Sequence, residues 1–228
     1  LDKIAAISQV LQIGVVNLER GAAQVKVAGR PSRPIRVVAV DPVAIDFFAD
    51  DLLRQRLLQA DRVGACLVDR ESKSSYGFET TDALVRVQHL ELNGRKLDAW
   101  GLFQLGTDFA NDGTLLMSDR LHAEFFPWRW PTRRPGDTVD IALLKIQITP
   151  DQSIEQICRE IRSLASEQID VQPTVRMVEA EKEFWRRATP IGKIFFIGTL
   201  MGLIVGAIIC YQIQFTDISD HMSEFATL

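Results

Sequence analysis

The sequence predicts an α+β domain followed by a transmembrane α-helix, and three observations predict it. The stretch 194–213 holds no charged residue and, at a helical rise, is roughly 30 Å long, the thickness of a bilayer's hydrocarbon core. The residues before it break into short runs rich in β-branched side chains, separated by Gly, Pro and Asn turn signals. Between 140 and 175 a strand pattern, an amphipathic helix and a second strand pattern follow one another, which places a helix over one face of a sheet.

In chain order, Gln12–Leu18 and Ala23–Val27 read as strands, Gly29–Pro34 as a turn or loop, and Ile35–Val40 as a further strand ended by Asp41-Pro42. Residues 3–10 fit helix or strand equally. Leu52, Leu53, Leu57 and Leu58 recur at helical spacing within 47–60, and Val63–Asp69 is a strand followed by a polar loop through Thr80. Ala83–Val87 leads into His89–Leu92. Asn93-Gly94 then fits a type I′ turn, because both central positions need positive φ. The returning strand runs from Arg95 to Phe103, with Leu97 and Ala99 facing the same side as Leu90 and Leu92. Gly106–Gly113 is a loop and Thr114–Met117 a short strand, and Ser118-Asp119 can cap a helix through Phe126. Asp140–Ile148 is a strand, and Ser153–Ala165 a helix with Ile154, Ile157, Cys158, Ile161 and Leu164 on its apolar face. Val171–Val175 reads as a strand, and Met177–Arg187 as a charged helix leading to the span. Thr189-Pro190 either caps a fresh helix or kinks a continuous one.

The apolar stretch has further marks of a membrane span. Trp185 and Tyr211 bracket it about 39 Å apart along a helix, near the separation of the two interfacial belts. Gly198, Gly202 and Gly206 fall on one face, where small residues let a second helix approach closely. A buried helix of a soluble domain is the alternative, but Thr199 and Gln212 are its only polar residues. Helical spacing continues through Ile218, Met222 and Phe225, and the chain begins without methionine, so it reads as a fragment cut at both ends.

Composition excludes several classes. Of 228 residues, with net charge −4, roughly 190 precede the span, enough for one large domain or two small ones. There is no basic run, hence no footprint for nucleic acid. Cys66, Cys158 and Cys210 are isolated and form neither a disulfide framework nor a metal site, so buried free thiols are expected for the first two. No phosphate-cradling loop, H-E-x-x-H, C-x-x-C or G-x-S-x-G occurs, and His89, His122 and His221 are far apart. The chain is therefore expected not to be an enzyme and to hold no cofactor or metal. One stretch stands out, 127–136. Its prolines exclude helix, and Trp128, Arg129 and Trp130 either form a partner-contact surface or fold back onto the domain.

The run from Tyr211 to Leu228, Y-Q-I-Q-F-T-D-I-S-D-H-M-S-E-F-A-T-L, together with Thr189–Gly192 and the glycine-spaced span, resembles the second transmembrane segment and following cytoplasmic helix of MacB/FtsX-type ABC exporter permeases, in the DevC subgroup. Leu102–Asp119, Pro135–Lys145 and Glu181–Trp185 carry the resemblance upstream, though it is weak before Ile35. The resemblance implies a mixed-sheet, MacB-like extracytoplasmic core over 1–176, a stalk helix over 177–190, a transmembrane helix over 191–214 and the start of a cytoplasmic helical segment over 215–228. It implies an inner-membrane protein, multi-pass when complete, with its large domain in the periplasm. It further implies an ABC ATPase subunit, a periplasmic adaptor, an outer-membrane channel, membrane lipid and a second copy as partners, and lipid or glycolipid cargo. FtsX-like relatives imply an alternative, a scaffold regulating a cell-wall hydrolase. Charge disagrees with this orientation: Arg186, Arg187 and Lys193 precede the span, whereas Asp217, Asp220 and Glu224 follow it.

Overall fold

A computed structural model describes residues 2–47, 50–79, 87–108, 111–130, 139–148, 153–164, 169–188 and 191–225. Two compact units result, Leu1–Ser153 and Ile154–Leu228.

The first unit is built on one nine-stranded sheet. Its strands are β1 (Val10–Glu19), β2 (Gln24–Val27), β3 (Arg33–Pro34), β4 (Arg36–Val40), β5 (Ala65–Asp69), β6 (Gln88–Leu92), β7 (Arg95–Phe103), β8 (Thr114–Ser118) and β9 (Ile141–Ile146). They lie in the order β3-β2-β6-β7-β5-β8-β4-β1-β9. The β4–β8 and β5–β7 pairs are parallel and the rest antiparallel, so the sheet is mixed. Chain connectivity forces it to curl. β3 and β4 are separated by Ile35 alone, a reach of about 7 Å, yet six strand steps of ~4.8 Å, about 29 Å if flat, divide them in the sheet. Backbone bonds close the roll at this point: Ile35 N donates to Ala23 O at 3.1 Å, and Arg36 N to Gly113 O at 3.2 Å.

Both faces of the central strands are packed, as their near-continuous apolar sequences require. Inside the curl, Val37, Ala39, Cys66, Val68, Leu115 and Met117 meet Val25, Leu90, Leu92, Leu97 and Ala99. The outer face carries Val40, Ala65, Leu67 and Leu116, covered by Leu57 and Ala60 of α2 (Asp51–Arg62). Asp50 caps α2 by accepting from Leu52 N at 2.9 Å and Leu53 N at 3.1 Å. A short helix α1 (Asp2–Ala5) precedes β1, and α3 (Asp119–Phe125) starts where Ser118 Oγ accepts from Leu121 N at 3.2 Å.

Asn93 (φ 51°) and Gly94 (φ 76°) form the expected turn, pairing Leu92 with Arg95 and Leu90 with Leu97. Ala83–Arg86 lies outside the described residues, as does the expected turn at 149–151. The segment expected to be loop at 29–34 ends in β3, whose register with β2 pairs Val25 with Arg33.

The second unit is helical: α4 (Ile154–Leu164), α5 (Thr174–Ala188) and α6 (Ile191–Phe225). α4 buries Ile157, Cys158 and Ile161, but leaves Ile154 half-buried and Leu164 exposed. The strand expected at Val171–Val175 is absent. Residues 171–173 are irregular, and α5 begins at Thr174, with Met177 N donating to Pro173 O at 3.1 Å. Pro173 sits just ahead of the first turn, where a missing N–H costs nothing, and the charged residues beyond it favour helix over the local β-branched pair. Cys66 and Cys158 are free and buried.

Candidate functional site

The 127–130 stretch folds as a 3-10 turn leaving α3, with Pro127 at its start and Arg129 N and Trp130 N donating back to Phe126 O and Pro127 O. Trp130 is only 2% exposed, and its indole Nε1 donates to His122 Nδ1 at 2.9 Å. His122 is fully buried and stacks on Phe126 at 4.7 Å. Because Nδ1 accepts, the neutral ring carries its proton on Nε2, which has no partner among the described residues. Burial, reinforced by the neighbouring Arg129 guanidinium, lowers the His122 pKa to about 4.

Arg129 turns the other way. Its Nη2 contacts both oxygens of Asp140, at 2.8 and 2.7 Å, and its Nε lies 3.2 Å from Glu19 Oε1. Asp140 accepts from Leu18 N at 2.8 Å, and Asp140 N donates to Asn17 Oδ1 at 3.2 Å. Burial raises the Glu19 pKa, opposed by Arg129 and reinforced by Asp140. Arg129 thus ties the turn to β1 and to the residue before β9, and Trp130 ties it back onto α3. Trp128 points away: it is 60% exposed and touches Phe126 edge-on at 5.4 Å. Three residues adjacent in sequence therefore divide, two into the fold and one to the surface. Residues 131–136 of the same stretch lie outside the described residues. The partners Asn17, Glu19 and Asp140 were not singled out in the sequence. Period-two alternation along β1, which puts Asn17 and Glu19 on one face, was the available signal.

The second candidate is α6. Ile194–Ser219 is long and apolar enough to cross a membrane, and none of its most apolar stretch is buried in the chain. Thr199 Oγ1 donates to Phe195 O at 2.8 Å, and Thr216 Oγ1 to Gln212 O at 2.9 Å, so neither hydroxyl is left bare on the helix. A Cβ added at Gly198, Gly202 or Gly206 would meet nothing within 4 Å. Tyr211 is exposed near the far end, stacked on Phe215 at 6.1 Å. Trp185 belongs to α5, but its side chain is outside the described residues. No group of three or more His, Cys, Asp or Glu among the described residues could hold a metal ion.

No protein-family model matches the sequence, and no curated protein matches it. Solved structures do. The extracellular domain of the noncanonic ABC-type transporter YknZ from Gram-positive bacteria aligns with 75% of this chain and 86% of its own, at 10% identity and a TM-score of 0.50. The fold is that of a MacB-like extracytoplasmic domain. The periplasmic region of MacB from Actinobacillus actinomycetemcomitans aligns more loosely, over 72% of this chain and 71% of its own, at 11% identity and a TM-score of 0.42, and adds no weight. A mixed-sheet α+β core followed by an apolar helix, as expected from the sequence, is what the structure shows.

Proposed function

We propose that this chain belongs to the membrane permease subunit of an ATP-driven exporter, with the sheet domain outside the cytoplasm and α6 crossing the bilayer. One observation carries the reading: a domain with the fold of an ABC-type transporter's extracellular domain is followed in sequence by a helix with a candidate span of 26 residues, the most apolar part of which is unburied. The subunit works mechanically rather than catalytically. ATP hydrolysis in a separate subunit moves α6, and α5, the stalk, passes that movement to the sheet domain. Domain boundaries follow the resemblance: core 1–176, stalk 177–190, span 191–214 and cytoplasmic segment from 215. The finer reading is a DevC-like system with an adaptor, an outer-membrane channel and a lipid or glycolipid cargo, in which two copies of the permease pack through the Gly198/Gly202/Gly206 face. Trp128 is the proposed contact for the adaptor.

The test is purification of the full-length protein from its own membranes in mild detergent. An ABC ATPase and an adaptor co-purifying in defined ratio, with ATP hydrolysis lost when the ATPase is inactivated, is the expected result. Recovery of a cell-wall hydrolase in place of the adaptor would replace this reading with the regulatory scaffold.

A further inference from the structure

Within the helical unit a cavity of about 390 Å³ lies beside α4, lined by that helix, the segment 170–173 and the first turn of α5. Glu155, Cys158, Arg159 and Arg162 recur at spacings of three and four, so a single stripe of α4 faces it, and Arg176 joins from α5. Arg162 is committed to structure: its Nη2 donates to Val171 O at 2.6 Å and lies 3.5 Å from Asp170. Arg159 and Arg176 form no ion pair or hydrogen bond among the described residues. Three guanidiniums against the carboxylates of Glu155 and Asp170 leave the lining one positive charge in excess. The first turn of α5 carries no acidic residue to offset its own N–H groups.

We propose that this cavity is an anion site that takes a phosphate group, with Arg159 and Arg176 as its two ligating side chains. Two guanidinium forks need more acceptor oxygens than one carboxylate presents; free phosphate supplies four, and a lipid phosphodiester two charged oxygens with two ester oxygens beside them. Cys158, itself buried, forms part of the wall and needs no ionisation for this role. The phosphate comes either free from solution or on a lipid headgroup. The assignment rests on the cavity alone and does not depend on the transport reading.

The experiment is titration of the full chain in maltoside micelles, which contain no phosphate, with inorganic phosphate at constant ionic strength, followed by calorimetry and by thermal unfolding. Saturable binding with a raised Tm is expected, chloride being without effect. In the Arg159→Ala/Arg176→Ala double variant the affinity falls at least about tenfold. Arg159→Lys/Arg176→Lys keeps the charge, loses the fork and lies between, and it carries the test should the alanine pair fold poorly. Lys96→Ala, in the sheet domain, behaves as wild type. Repeating the titration in phosphatidylglycerol nanodiscs identifies the source: competition by the headgroup weakens free phosphate, whereas an unchanged affinity assigns the site to soluble phosphate. Absence of saturable binding to the wild type, or equal affinity in both double variants and the wild type, overturns the proposal.

Discussion

His122 accepts one hydrogen bond, from Trp130, and is neutral in the folded chain because burial and Arg129 oppose its protonation. Its folded pKa of about 4 lies below its ordinary value of 6.5, so between these pH values the unfolded chain binds the extra proton. Stability contributed by this residue is therefore full above pH 6.5, falls as pH drops toward 4, and the loss, on the order of 3 kcal/mol, is complete below that. Glu19 and Asp119, whose pKa values are raised chiefly by burial, act in the opposite sense and gain relative stability as they protonate. Urea unfolding of the full chain across pH 4–7 should show this slope, and His122→Phe should flatten it while leaving the contributions of Glu19 and Asp119 in place. Neighbouring tryptophans separate by a second measurement. Trp130→Phe removes the indole donor and leaves a buried acceptor, costing about 2 kcal/mol, whereas Trp128→Ala at an exposed site costs under about 1 kcal/mol. Equal losses for the two would contradict the division into an inward anchor and an outward contact.

Elements differ in how far local chemistry decides them. The β6–β7 hairpin is local: Asn93-Gly94 supplies two positive-φ residues, and the register follows from that turn, so both its ends and its buried face were readable. α2 was readable from the spacing of its leucines and α3 from the Ser118 cap, whereas the Asp50 cap of α2 was not read. The 171–175 segment was not, because a short β-branched pattern says strand while Pro173 and the charged run after it start a helix, and only the longer window resolves the conflict. A close approach is equally invisible from sequence. Gly14, in the middle of β1, faces the backbone of Ala44, and a Cβ there would stand 2.5 Å from Ala44 Cα. Gly14→Ala must displace main chain that is held by Asp41 Oδ1 accepting from Ala44 N, so a loss of about 3 kcal/mol or more is expected in chemical denaturation. Gly202 faces open space in the single chain, so Gly202→Leu should leave the stability of the sheet domain unchanged. If the glycine face packs a neighbouring helix, that same variant lowers the fraction of the full protein recovered as an assembly in detergent. Unaltered assembly and export would remove that role from α6.

At the scale of the whole molecule, the sheet's closure depends on pairings that no local pattern carries. β3 and β4 are neighbours in sequence and opposite ends of a rolled seven-strand path, and only long-range registers such as Val25 with Leu92 and Val38 with Leu116 reveal it. Orientation across a bilayer is a property of the same scale, and here two physical signals oppose each other. Arg186, Arg187 and Lys193 precede the uncharged stretch 194–213 in sequence, and Asp217, Asp220 and Glu224 follow it, a bias that by itself retains the sheet domain in the cytoplasm. The bias is set by basic residues counted across all short loops of a protein, however, and acidic residues contribute little to it, so in the proposed multi-helix arrangement one helix does not decide its own direction. A long folded domain also translocates largely regardless of flanking charge. The proposed arrangement therefore predicts that Lys96→Cys, exposed beside the β6–β7 turn, reacts with a membrane-impermeant maleimide in intact spheroplasts of cells making the full protein. Cys66 and Cys158 are buried, Cys210→Ala removes the exposed thiol of this stretch, and the same full protein with Lys96 retained is the control for any other thiol. Labelling without permeabilisation places the sheet domain outside. Labelling only after permeabilisation would place it in the cytoplasm, where an extracytoplasmic adaptor could not reach Trp128, and the export reading would fail with it.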